Sequence, residues 1–215
     1  ETPCGFVDFG VFSKEGKNVE TLKTILESLD YRPVLHPYIW KHELEMYSYV
    51  QELRRAGLIR IASYDEFLLD EYDEDLYRQQ FLELYVLLGE YYVTTNSPKH
   101  VEVLPEDCDI FTYRKAGTSI GDVHVILMAS YSQIPVIFTE DGDISALKFI
   151  AKMKINSESY QMNIYNALEA LGQIIAKPDC PFSKKDIERI LNEIGERSHR
   201  SEFKQLWDTY HRKDQ

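Results

Sequence analysis

Five acids are spaced so that an α/β fold could bring them to one place. Asp8 lies within the apolar run CGFVDFGVF, and Glu43 falls in the second turn of a predicted helix. Asp122 opens another helix-like run, and Asp141 and Asp143 directly follow the short apolar segment Pro135 to Phe138. In a parallel sheet the mouth of a site lies just outside the carboxyl ends of the strands. Carboxylates gathered there repel one another unless a hard cation sits between them. One or two Mg²⁺ or Mn²⁺ ions would satisfy such a cluster. They would orient and acidify an attacking water and stabilise the leaving oxygen of a phosphodiester.

Each acid also has a structural reading. Asp8 would be an ordinary strand-end residue. Glu43 and Asp122 would complement helix dipoles, and Asp141 and Asp143 would form a turn around Gly142. The metal reading rests on the five taken together. The six histidines are scattered without zinc-ligand spacing. His124 lies near Asp122 and could reach a substrate, but a packed histidine is the expectation. There is no glycine-rich phosphate loop, nucleophile elbow or dinucleotide fingerprint.

The elements that must position these acids follow from the pattern of apolar residues. Cys4 to Phe12 reads as a strand buried on both faces and ending near Asp8. Asn18 to Leu29 reads as a helix with Asn18 as its N-cap. Tyr31 to Pro37 reads as a connector, because each proline disfavours helix at the residue before it. A helix is expected from Pro37 to Ala56, with Gly57 as its C-terminal cap, and a strand from Leu58 to Ala62. Asp65 to Glu90 carries nine acids against one base, Arg78. Asp65 to Arg114 is expected as a helical pair or insertion, with Leu76, Phe81, Leu84, Tyr85 and Leu88 as its packing stripe. Beyond residue 148 the chain reads as helical: an amphipathic run from Ser157 to Ala176, a helix opened by a capping box at Ser183 and Asp186, and a last one from Glu202 to Arg212. The expected division is a domain over 1–155, with the acidic insertion at about 65–114, and a helical extension over 156–215.

The bulk composition fits a folded α/β domain. The chain has 215 residues, 44% hydrophobic and 28% charged, enough for one sizeable core. A formal net charge of −12 argues against a protein that coats nucleic acid, since such proteins neutralise phosphates with Lys and Arg. It does not exclude a nuclease whose ions supply local positive charge. Cys4, Cys108 and Cys180 are far apart and form no CxxC pair, so reduced thiols and a cytoplasmic location are expected. No apolar run approaches the roughly 18 residues that span a bilayer. Neither membrane association nor a signal peptide is expected.

The acids in their surroundings resemble the PIN-domain family of metal-dependent nucleases. The matching pieces are FVDFGVF with Asp8, PYIWKHELEMY with Glu43, and SIGDVHVILMASYSQIPVIFTEDGDISAL with Asp122, Asp141 and Asp143. The resemblance covers about Gly5 to Ile150, interrupted by Asp65 to Arg114. It implies an α/β/α sandwich around a mainly parallel sheet, and Mg²⁺- or Mn²⁺-dependent endoribonuclease activity on RNA. It implies that Asp8, Glu43, Asp122 and Asp141 bind metal and carry catalysis. By the same resemblance Asp143 assists the metal, and Thr139 supplies a hydroxyl that orders the site. Many small proteins of this kind are toxins of toxin–antitoxin pairs, so an antitoxin or other protein partner is implied, and a homodimer is compatible. The chain departs from the pattern after its first acid, where Phe9 and Gly10 replace a small hydroxyl residue and Asn. That departure supports an alternative: a PIN-like scaffold, weak or inactive in catalysis, that binds a protein or RNA.

Overall fold

The structure, a computed structural model, describes residues 2–6, 9, 19–114, 119–140 and 144–211. Its centre is a five-stranded, all-parallel sheet in the order β3-β2-β1-β4-β5. The strands are β1 (Thr2–Phe6), β2 (Tyr31–Leu35), β3 (Arg60–Ile61), β4 (Val136–Phe138) and β5 (Asn163–Tyr165). The chain moves outward from β1 to β3, then returns to the other side of β1 for β4 and β5. Parallel crossovers need helices, and a reversal of direction puts them on both faces.

One helical group packs around α5 (Ile120–Tyr131): α4 (Glu71–Thr94) lies against both α5 and α6 (Ile144–Ile150). In the other group, α1 (Val19–Ser28) packs on α7 (Ala167–Ile175), which meets α9 (Arg200–His211), itself packed on α8 (Lys184–Glu193). A Lys23–Glu52 ion pair of 2.5 Å ties α1 to α3 (Ser48–Arg55). The sequence-based expectation of an α/β sandwich with a central parallel sheet holds.

Several local expectations need correction. The connector expected at Tyr31 to Pro37 contains β2, which pairs with β1 along its whole length. Pro33 is tolerated there because β3 pairs only with Val34 and Leu35, so at Pro33 the strand is still an edge on that side. The long helix expected from Pro37 to Ala56 is broken. It begins as α2 (Pro37–Ile39), runs into a π turn over Trp40–Leu44, and restarts as α3 after Tyr47 takes an extended conformation. The buried residues explain the break. Ile39 and Leu44 are five apart, which a π turn aligns, whereas Leu44 and Val50 are six apart and cannot share a face of one continuous α-helix. Gly57 does cap α3: with φ at 73° it donates to Arg54 O, while Leu58 N–H donates to Leu53 O.

Asp65 to Arg114 holds the end of a 3₁₀ turn, one α-helix, α4, and an irregular segment after it, not a helical pair. The expected stripe is buried at Phe81, Leu84, Tyr85 and Leu88, joined by Tyr77, while Leu76 is only half-buried. Beyond residue 156 the helix expected from Ser157 is replaced by a turn, then β5, then α7. Met162 and Ile164 are buried on either side of exposed Asn163, which is strand alternation, and Asn166 and Glu169 form the capping box that starts α7. The box at Ser183 and Asp186 starts α8 as expected. Asn18, expected as a cap, lies outside the described residues. Among the described residues no helix is long and apolar enough to cross a membrane.

A polar network crosses the core where β2, α4 and α5 meet. His36, Tyr77 and His124 are fully buried. Tyr38 N–H donates to His36 Nδ1 at 3.0 Å, so the neutral ring carries its proton on Nε2, 3.3 Å from the Tyr77 hydroxyl. That hydroxyl donates to His124 Nδ1 at 2.9 Å, and His124 Nε2–H donates to Ile110 O at 2.9 Å. The two imidazoles stack with centroids 4.7 Å apart. Burial pushes both rings below their usual range, His124 to about 3, and a charge on His124 would further oppose one on His36.

This arrangement makes stability acid-sensitive. Unfolded histidines take up protons near pH 6.5, whereas the folded rings resist. The stability they contribute is therefore complete above pH 6.5 and declines as pH falls through it, by up to about 1.4 kcal/mol per pH unit for each ring. Urea midpoints should fall between about pH 7.5 and 5.5, and His36→Gln should flatten part of that slope. A wild-type midpoint that stays level would mean that the folded rings take up protons as readily as the unfolded ones.

Candidate active site

β1 is the strand at which the sheet reverses direction. Phe6, its last residue, pairs with Leu35 on β2 and with Phe138 on β4, so three strands end at one level. Crevices outside the carboxyl ends at such a switch point are where open α/β sheets bind ligands. α5 lies across this point, against both β1 and β4. At Gly5 a Cβ would crowd Ile137 of β4 at 3.3 Å and stand 3.5 Å from Val125 of α5, an ordinary contact.

Because α5 leads into β4, it starts at the edge where the strands end. Asp122, in its first turn, is 3% exposed. The helix dipole favours a negative charge there. Glu43 arrives from the π turn, after α2 packs against α5. Its side chain lies against Gly121, one residue from Asp122. A Cβ at Gly121 would run into the Glu43 carboxylate and the Ile39 side chain. The structure thus brings together two acids that are 79 residues apart in sequence, one buried and one exposed. Thr139 follows β4, fully buried, with its N–H donating to Tyr165 O at 3.0 Å. Asp8, Asp141 and Asp143 lie outside the described residues.

Phe9 has a structural role. It is fully buried, edge-on to Phe6 with centroids 5.4 Å apart and 5.5 Å from Phe138. The ring therefore fills the core at the ends of β1 and β4, where the resemblance leads one to expect a hydroxyl. His124 points into the core network described above and is a packed residue.

Carboxylates such as Glu43 and Asp122, near the start of one helix at the strand ends, are hard oxygen donors of the kind that hold Mg²⁺ or Mn²⁺. Among the described residues no group of three or more His, Cys, Asp or Glu side chains is close enough to form a metal site. Sequence reasoning missed Gly121 and Ile39, which shape the seat of the Glu43 carboxylate. Glycine inside a predicted helix was the available signal, since it costs helix stability and needs a packing reason. Comparison with known proteins finds no family model that matches the chain, no similar curated protein and no matching solved structure.

The contact at Gly121 is testable by a double-mutant cycle. Gly121→Ala improves helix propensity by about 1 kcal/mol, but overpacking against buried Ile39 costs about 1–3 kcal/mol. The variant should be destabilised in urea unfolding. Ile39→Val, which alone should cost about 0.5–1.5 kcal/mol, should cost less in the Gly121→Ala background. Strict additivity would show that the two side chains do not compete for one space.

Proposed function

We propose that the chain is a Mg²⁺- or Mn²⁺-dependent endoribonuclease. The observation that carries this reading is the meeting of Glu43 with the first turn of α5, beside Asp122, at the switch point of a parallel sheet. The fit is chemical: the missing Cβ at Gly121 leaves room for a carboxylate where a hard cation needs oxygen donors. Glu43 and Asp122 would hold the ion together with Asp8 and Asp141, and Asp143 and Thr139 would support them.

The ion, when bound, lowers the pKa of a coordinated water and offsets the charge of the phosphodiester. Asp122 would contribute an oxygen donor from the first turn of α5, where the helix dipole favours negative charge. Glu43 is exposed to solvent and would be open to an incoming nucleic-acid strand. No side-chain nucleophile is required. An antitoxin-like protein partner and a cytoplasmic site of action belong to the same proposal.

The burial of Phe9 favours a second reading, in which the fold is kept as a scaffold for a protein or RNA partner and catalysis is weak or lost. Two measurements separate the readings. Mn²⁺ should raise the melting temperature of the wild type and not of Asp122→Asn, by linkage of binding to folding. With Mn²⁺, the wild type should cut a labelled single-stranded RNA internally, and Asp122→Asn or Glu43→Gln should lose at least about 100-fold in rate. No melting shift in either protein overturns the metal site. A shift without cleavage favours the scaffold.

A further inference from the structure

The acid-rich stretch that the function above leaves unused frames an open groove of about 420 Å³. Its lining is mixed, and the apolar part is Tyr64 and Phe111, edge-to-face with centroids 5.0 Å apart, with Leu68 and Leu69. Leu69 is 78% exposed, a large aliphatic side chain left in water. The groove is not part of the site at the strand ends. Its floor is built by the 3₁₀ turn Tyr64–Glu66 and the N-terminal end of α4.

Asp65, Asp70 and Glu74 line the rim. They belong to a run of seven acids without a base between residues 65 and 75. Arg60 and Arg78 offset two of these, pairing with Glu66 at 2.6 Å and Glu74 at 2.7 Å. The surface therefore stays strongly negative beside the two leucines and the aromatic pair. One wall already receives a cation: the Arg78 guanidinium lies 4.4 Å from the Phe111 ring centroid.

We propose that this groove docks a basic segment of a partner protein. An apolar residue of the segment covers Leu68 and Leu69, and an Arg or Lys beside it places its stem along the aromatic wall and its charge against Asp65 and Asp70. The charge of the rim selects the sign of the partner. The volume lies within the range of about 300–1,000 Å³ seen for small-ligand sites, but such sites enclose most of their ligand. A groove with a leucine standing in solvent suits a chain that runs across it.

The probe is a fluorescein-labelled peptide of repeating Arg-Leu-Arg, with a Glu-Leu-Glu peptide of equal length as control. Anisotropy at physiological salt should show binding of the basic peptide alone. Leu69→Ser and Asp65→Asn, both at exposed positions, should melt like the wild type and each raise Kd. The expected rise for Leu69→Ser is about tenfold, the value of one lost aliphatic contact. Methyl shifts of Leu68 and Leu69 on titrating the unmodified protein give a reading that needs no variant. An unchanged Kd in both variants, or unmoved methyl signals, would mean diffuse attraction to an acidic chain and would overturn the proposal. Displacement by spermidine at the concentration at which the peptide itself competes would assign the groove to small polycations and overturn it as well.

Discussion

The parallel register of β1 with both its neighbours is the constraint on which the rest depends. Phe6 is paired on one side by Leu35 and on the other by Phe138, so the main chain is committed to a single level at the centre of the sheet. A buried central strand has no alternative partner for its N–H and C=O groups, and leaving them unpaired is costly. From that register follow the reversal of chain direction, the placement of α5 across β1 and β4, and the convergence of three strand ends. Gly5 belongs to the same constraint, because a Cβ there would crowd the Ile137 side chain on the neighbouring strand.

A second layer of organisation is polar and lies inside the core. His36 follows β2, Tyr77 belongs to α4, His124 to α5, and Ile110 to the irregular segment after α4. The hydrogen bonds among them specify a single tautomer for each ring. Apolar packing alone would tolerate small slips of α4 against α5. Directional bonds between fully buried groups do not, since a slip would leave a donor or acceptor unpaired. The acid-rich sequence of α4 is thus the solvent face of a helix whose other side is core. Tyr64 and Phe111 link the two sides, packing against His36 and Tyr77 inwardly and forming the groove wall outwardly.

The strand-end crevice combines features that pull in different chemical directions. Glu43 and Asp122 bring two charged oxygen donors to one helix terminus, and Gly121 makes room for the first of them. Phe6, Phe9 and Phe138 form a dry aromatic cluster at the same strand ends. A low-dielectric wall strengthens electrostatic interactions near it, yet it also removes a position where a hydroxyl could hydrogen-bond a carboxylate. The balance between these two effects decides how active such a centre would be.

The fold class and much of the helical framework were legible in the sequence. Period-2 and period-3.6 patterns, the capping box at Ser183 and the glycine after α3 are local signals, and local signals survive in one dimension. Asp122 was legible as a first-turn acid for the same reason. The sequence did not show β2, the π turn that carries Glu43, or β5, because each is decided by what lies beside it. Pro33 is allowed in a strand only because β3 stops short of it. The π turn exists because Ile39 and Leu44 must bury together. The seat of Glu43 against Gly121, and the groove between Tyr64 and Phe111, depend on contacts between residues dozens of positions apart. Sequence determined which residues were available for chemistry, and tertiary packing alone decided which of them meet.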